Sequence, residues 1–434
     1  MFYFFAFGLI LTFLVPPFEA NDEPDHLNYI NFITVEKSLP VQTIDSLKVN
    51  KEGHQFPLYY MIASGIQYLA GNNPVMYKII GNEKNVNFGG KENLVPVYNH
   101  VYNEIFYTEK DKTLFYKLRI FQVLISLINV FVIYKIAGFY FHDEKYKLLC
   151  AFIAAAVPQF AFVSSYINND TLANLFASLI VLSFLIFLKE KSFKSIVIFS
   201  IVFSISLLVK KTMFFFFPVI ALVGIYMVFR KQIDLKTFGV KVFGIILFVS
   251  IVTLWFFLRN INLYNDVFLS KVEMLTVPYY VDMKPLFSFY FIYPFVPGLF
   301  GSFWGVFGWM NVALPFFAYA LLFLFVITNF LFLLKKYNLK SIFVSKILFA
   351  ALSIISCLGG IIYYNTLYSQ HQGRFLFPVL SFIVVGLAYG IKTISEKFIK
   401  ENIVITTSVI LFAVIDIISL ITIYRFYYDP NNYL

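Results

Sequence analysis

Residues 238–258 read FGVKVFGIILFVSIVTLWFFL, an apolar stretch interrupted by a single lysine. A helix that crosses a bilayer needs about 20 such residues, so the stretch is long enough to be one span. The basic segment RKQIDLKTFGVK at 230–241 leads into it and Arg259-Asn260 follows it. Runs of the same kind recur at 1–18, 114–140, 148–166, 171–188, 194–210, 212–229, 312–334, 344–362, 375–391 and 403–424. The pattern predicts an all-α fold: a polytopic transmembrane helical bundle with about 11 spans. It forms a single domain over 1–434.

Composition agrees. Of 434 residues, 60% are hydrophobic and only 13% charged, against roughly a quarter charged in soluble domains. Lipid must be the solvent for much of this surface. The net charge of +10 would suggest nucleic acid in a soluble chain, but here the lysines cluster in short loops between spans. That is the positive-inside pattern, and no nucleic-acid partner is expected. Cys150 and Cys357 lie inside apolar runs, with no disulfide or metal spacing.

Loop charge sets the orientation. Segments 142–147 (HDEKYK), 189–194 (KEKSFK), 230–241, 335–346 (KKYNLKSIFVSK) and 392–400 (KTISEKFIK) are lysine-rich and are expected in the cytoplasm. The opposite face then carries 19–112, 167–170, 259–311, 363–374 and the tail from Arg425. The two long loops, 19–112 and 259–311, both fall on this extracytoplasmic side. Segment 1–18 lacks a basic start before its apolar stretch, so it reads as a retained helix rather than a cleaved leader.

The first outer loop opens with Glu19-Ala20-Asn21-Asp22-Glu23-Pro24-Asp25-His26, four carboxylates directly after the first helix. The plainer reading is a solvated charge cluster. Against it stands the run His54-Gln55-Phe56-Pro57-Leu58-Tyr59-Tyr60, which reads as the start of an interfacial helix. An acidic cluster beside such a platform suits a base that meets a lipid-borne substrate.

These two motifs in this order resemble the first outer loop of the GT-C superfamily, which includes protein mannosyltransferases and the aminoarabinose transferases of lipid A. Further segments are similar to a related group of predicted bacterial and archaeal membrane glycosyltransferases. They are Pro158-Gln159-Phe160 with Asn168-Asn169-Asp170, Arg259-Asn260, Ser302-Phe303-Trp304-Gly305 through Gly308-Trp309-Met310-Asn311, and Gln372-Gly373-Arg374-Phe375-Leu376-Phe377-Pro378. The resemblance implies a GT-C type bundle with an outward-facing cavity. It implies a polyprenyl-phosphate-linked sugar as donor and membrane lipids as surroundings, with a lipid, glycan or protein as acceptor. Transfer would invert the anomeric centre if it is one in-line displacement.

Such chemistry asks for a general base near the anomeric carbon. Asp22, Glu23 and Asp25 are the candidates, and the resemblance favours Asp22 or Glu23; Asp25 or His26 would then position. Asp170 is a candidate second carboxylate, with helix capping at Thr171 as its plainer reading. The leaving phosphate asks for cations at the outer face. Arg374, Arg259, Lys210 and Lys211 qualify, each with snorkelling to headgroups as the alternative. Arg374 is favoured for its two-pronged grip on phosphate. Of Lys210 and Lys211, one is expected to snorkel and one to face the cavity. His54 and His371 are candidate phosphate or sugar contacts. Trp304 and Trp309 are candidates for a sugar-stacking wall, or for an interfacial aromatic belt. No metal-ligand spacing stands out, and a divalent cation on the outer carboxylates stays open. Two other readings are a transporter or flippase and a noncatalytic envelope-assembly protein. The first should show repeated halves with broken, charged helices at the midplane, and no such repeat is visible.

Overall fold

The computed structural model describes residues 1–43, 48–49, 51–71, 74, 108–276, 283–336 and 344–428. Parts of the expected outer loops 19–112 and 259–311, of the basic loop 335–346 and of the tail from Arg425 lie outside the described residues. The described chain is almost wholly helical; a two-residue pairing, Val306–Phe307 (β1) with Val312–Ala313 (β2), is the small exception.

The helices, in chain order, are α1 (Phe2–Leu14), α2 (Glu23–Glu36), α3 (Leu58–Leu69), α4 (Glu109–Ala137), α5 (Glu144–Ala155), α6 (Pro158–Val163), α7 (Asp170–Glu190) and α8 (Phe193–Ser206). They continue as α9 (Phe216–Phe229), α10 (Leu235–Tyr264), α11 (Ser270–Thr276), α12 (Phe295–Trp304), α13 (Phe316–Lys336), α14 (Ser345–Leu367), α15 (Leu380–Lys397) and α16 (Glu401–Tyr428). Among the described residues, eight helical segments are long and apolar enough to cross a membrane, and α1 and α8 are shorter apolar helices. The protein is a multi-pass membrane protein.

Local chemistry explains the boundaries. Thr108, Asp143, Ser192 and Asp234 each accept a backbone N–H of the first turn of α4, α5, α8 and α10. The expected span 148–166 is not one helix: α5 ends at Ala155 and a short α6 restarts at Pro158. Proline has no N–H to donate and clashes with the preceding turn, so the helix stops before it. Helix α2 lies in what the hydropathy reading treats as loop.

Helix α7 is the inner post of the bundle, packed against α4, α8 and the 3-10 turn Gly373–Val379. Of its apolar window 72% is buried, against 17% for α10 and for α13, whose large side chains face outward. In a bilayer those outward chains meet lipid. Bonded to no water there, the backbone must satisfy itself, and continuous helices do so. Irregular segments collect instead at one end of the bundle, where they line a cavity.

Candidate active site

The start of α2, the 3-10 turn Lys51–His54, the start of α7, the residues after α8, helix α11, the end of α14 and the Gly373–Val379 turn converge on a cavity of about 790 Å3. One part of its wall is charged: Asp22, Glu52, Asp170, Lys210, Lys211, Glu273 and Arg374. Another part is apolar and includes Phe214, Phe268 and Met274. Gly359 and Gly360 of α14 border this part, and a Cβ on either would meet nothing within 4 Å.

Asp22 reaches the cavity through an unusual backbone. It precedes α2 with φ of 60°, the left-handed region that Asp tolerates better than most residues. Its carboxylate makes no capping bond; it lies 3.3 Å from Nη2 of Arg374. The reversal sends the next side chain the other way. Glu23 is wholly buried and accepts four hydrogen bonds. Arg119 Nε and Nη2 donate at 2.7 and 2.6 Å, and the backbone N–H groups of Phe18 and Ile167 donate at 3.0 and 3.1 Å. Arg119 also donates to the carbonyls of Thr12, Val15 and Pro16, which closes the end of α1. Glu23 therefore ties together the α1–α2 turn, α4 and the approach to α7. It does not line the cavity, and the expectation that it serves as a base is corrected: its lone pairs are taken. Asp25 is also fully buried and lies outside the cavity wall. Of the three adjacent candidates, Asp22 alone faces the hollow.

Asp170 sits at the first position of α7 and does not cap it. Asn168 does so, its Oδ1 accepting from the Thr171 N–H at 3.0 Å. Freed from that task, Asp170 pairs with Lys210 and lies 3.4 Å from Nη1 of Arg374. Arg374 thus stands between two carboxylates. Tyr166 accepts from its Nη1 at 3.0 Å, while its Nε is buried without a hydrogen-bond partner among the described residues. The preceding glycine makes this placement possible. A Cβ on Gly373 would fall 2.1 Å from the Phe303 nitrogen and 2.6 Å from the Leu299 carbonyl, so only glycine lets the chain pass this close to α12.

A second charged group lies along the wall. Lys211 pairs with Glu273, which also accepts from Tyr364 at 3.2 Å and lies 3.8 Å from His54. Burial works against ionising Glu273, but His54 and Lys211 hold its carboxyl below the usual range. The two neighbouring lysines both face the cavity, each with its own carboxylate, so neither snorkels.

His26 and Glu52 lie between these groups. The Nδ1 of His26 is 2.8 Å from the Tyr60 hydroxyl, and burial pushes the imidazole down to about 3. Glu52 moves the other way: burial first, then the negative charges of Asp22 and Asp25, push it well above the ordinary carboxyl value. His26 and Glu52 are 3.9 Å apart, and burial disfavours the charged form of each, which works against a salt bridge between them.

A family model described as dolichyl-phosphate-mannose-protein mannosyltransferase matches residues 110–257, about a third of the chain. Two crystal structures of ArnT from Cupriavidus metallidurans are similar across the molecule. The one bound to undecaprenyl phosphate has a TM-score of 0.54 at 10% identity, covering 98% of this chain and 75% of that one. The apo one has a TM-score of 0.52 at 10% identity, covering 96% and 73%. No curated protein matches the chain. The fold is that of these two ArnT structures.

In this ArnT-like fold four other expected contacts lie away from the cavity. Arg259 donates to the carbonyls of Leu39 and Pro40, at 3.3 and 2.9 Å, and so clamps a loop. Trp304 is packed among Phe300, Phe303 and Phe412. Trp309 is buried with its Nε1–H donating to the Phe18 carbonyl at 2.9 Å. His371 packs its ring on Gly298 and meets the Tyr290 hydroxyl at 3.3 Å. The two tryptophans act in packing because α12 and the hairpin after it are interior in this fold. Aromatic rings do line the cavity, but they are others, Tyr363, Tyr364, Tyr368 and Phe375 among them.

Sequence reasoning did not single out Glu52, Arg119 or Glu273. Arg119 had a signal, a charge inside the apolar run 114–140. Glu52 stands two residues before His54 in a motif already noted. Glu273 carried no signal among the acidic residues of its long loop. Among the described residues, no group of three or more His, Cys, Asp and Glu is arranged to hold a metal ion.

Proposed function

We propose that this chain transfers a sugar from a polyprenyl-phosphate-linked donor to an acceptor at the extracytoplasmic face of the membrane, with Asp22 as general base. The observation that carries the reading is the contact of Asp22 and Asp170 with Arg374 inside a cavity of a GT-C fold. Arg374 and Lys210 bind the phosphate of the donor. The apolar wall near Phe214, Phe268 and Met274 takes the first part of the lipid chain, as its chemistry suits isoprene units. ArnT from Cupriavidus metallidurans with bound undecaprenyl phosphate supports this class of ligand.

The reaction is a single displacement. The acceptor hydroxyl or amine attacks the anomeric carbon as its proton passes to the Asp22 carboxylate. The bond between that carbon and the phosphate oxygen breaks, and the lipid phosphate leaves with the bonding pair. Its gain of negative charge is what Arg374 and Lys210 offset, so their grip is strongest in the transition state. Attack opposite to the leaving group inverts the anomeric centre.

The test uses the full chain in nanodiscs, with radiolabelled undecaprenyl-phosphate sugars and a membrane extract as acceptor source. Wild type should move label from donor to acceptor. Asp22→Asn should lose about 100-fold or more of that rate, the usual worth of a general base. It should still bind undecaprenyl phosphate. Equal transfer by the two proteins rejects Asp22 as base, and no binding of undecaprenyl phosphate by wild type rejects the donor class.

A further inference from the structure

The cavity holds one more carboxyl than it has cations. Among the described residues of its wall the acids are Asp22, Glu52, Asp170 and Glu273, and the cations are Lys210, Lys211 and Arg374. Arg374 is shared by Asp22 and Asp170, Lys210 belongs to Asp170, and Lys211 belongs to Glu273. Glu52 is the acid left over. It is 7% exposed, and its Oε2 is buried without a hydrogen-bond partner among the described residues.

The groups around it pull both ways, and burial with the two nearby acids outweighs the rest. Asp22 and Asp25 of α2 oppose a negative charge there, Lys210 favours one, and Gln55 donates from the next turn. His26 is neutral, and its Nδ1 is engaged with Tyr60 of α3. Tyr364 of α14 also lines the wall, but its hydroxyl donates to Glu273 at 3.2 Å. A buried carboxyl with no cation of its own keeps its proton. A protonated carboxyl has one O–H to donate, whereas an ionised one can only accept. An incoming phosphate is an acceptor throughout and would repel an ionised Glu52.

We propose that Glu52 is the proton-bearing carboxyl of this cavity and donates that proton in a hydrogen bond to the lipid phosphate held by Arg374 and Lys210. The inference deepens the proposed function and rests on it. It assigns a polar contact to the phosphate from the 3-10 turn that carries His54. The proton stays on Glu52 while the phosphate is bound, so no further co-reactant is needed.

The experiment measures binding of undecaprenyl phosphate to full-length protein in nanodiscs, across roughly pH 5 to 9, the span over which buried glutamates titrate. Wild type and Glu52→Gln are compared at each pH. The phosphate's own titration is common to both proteins and cancels in the ratio. Glutamine keeps a donor but has no proton to lose. The expected result is similar affinity at the acid end. Wild type should then fall away from E52Q by up to about tenfold per pH unit once Glu52 ionises. Glu52→Met, which lacks the donor, should bind about tenfold or more weakly at low pH and show no added slope. It also serves as the non-ionising reference should E52Q not fold. Parallel curves for wild type and the non-ionising variants overturn the Glu52 assignment alone. Failure of wild type to bind undecaprenyl phosphate at every pH overturns the proposed donor class, and the Glu52 role with it.

Discussion

The Arg374 guanidinium lies 3.3 Å from the Asp22 carboxylate, although 352 positions separate the two residues in the chain. Asp22 comes from the turn between α1 and α2, Arg374 from the turn before α15, and α12 packs behind Gly373 to press the second toward the first. Under the proposed function the contact joins a base and a phosphate grip at one edge of the cavity. On that reading the arginine is preorganised before donor binds, which limits the entropy lost when it grips phosphate.

Arg374→Ala should weaken undecaprenyl phosphate binding by roughly 10- to 100-fold, the worth of charge-assisted hydrogen bonds. Arg374→Lys should recover only part of this, because an ammonium cannot span Asp22 and Asp170 with a planar fork. Equilibrium binding of the lipid phosphate to the three proteins checks it; equal affinity in wild type and R374A would remove Arg374 from the phosphate site.

Glu23 and Arg119 should matter for folding before they matter for chemistry. Removing one partner of a buried ion pair leaves an uncompensated charge and costs about 3–5 kcal/mol. Glu23→Gln and Arg119→Met are each expected to lower the thermal midpoint in detergent. The double variant Glu23→Gln with Arg119→Met should be less unstable than the sum of the two. Additive losses would show that the two side chains do not act as a pair.

Glu273 predicts an acid-side stability loss. Its folded carboxyl titrates below the unfolded value of 4.5, because His54 and Lys211 outweigh burial. A depressed carboxyl stabilises the fold above the unfolded value, and that contribution is lost as pH falls through the folded one. Wild type should therefore lose more stability than Glu273→Gln on going from neutral pH to below about pH 4. Thermal midpoints of both proteins measured against pH check the sign; a steeper loss in the variant would contradict it.

The eleven apolar runs each coincide with helix, except that the run 148–166, read as one span, breaks before Pro158. The lining of the candidate cavity was legible in part. Asp22, His26, His54, Asp170, Lys210, Lys211 and Arg374 all line it. They stood out because polar and charged residues flanking apolar runs are few. Trp304, Trp309, Arg259 and His371 were singled out on the same outer segments and lie away from the cavity. Composition cannot tell a ring that faces a hollow from one wedged between helices.

The sequence by itself determined that this chain crosses a membrane many times and which charges flank its apolar runs. Hydropathy and loop charge are additive over local windows, so they can be read without coordinates. Only the tertiary structure decided which of Asp22 and Glu23, neighbours with the same chemistry, faces the cavity. The left-handed turn at Asp22 aims one carboxylate into the cavity and the next at Arg119. Which way a side chain points depends on what packs behind it, here α4, α7 and α12, and that information is not local.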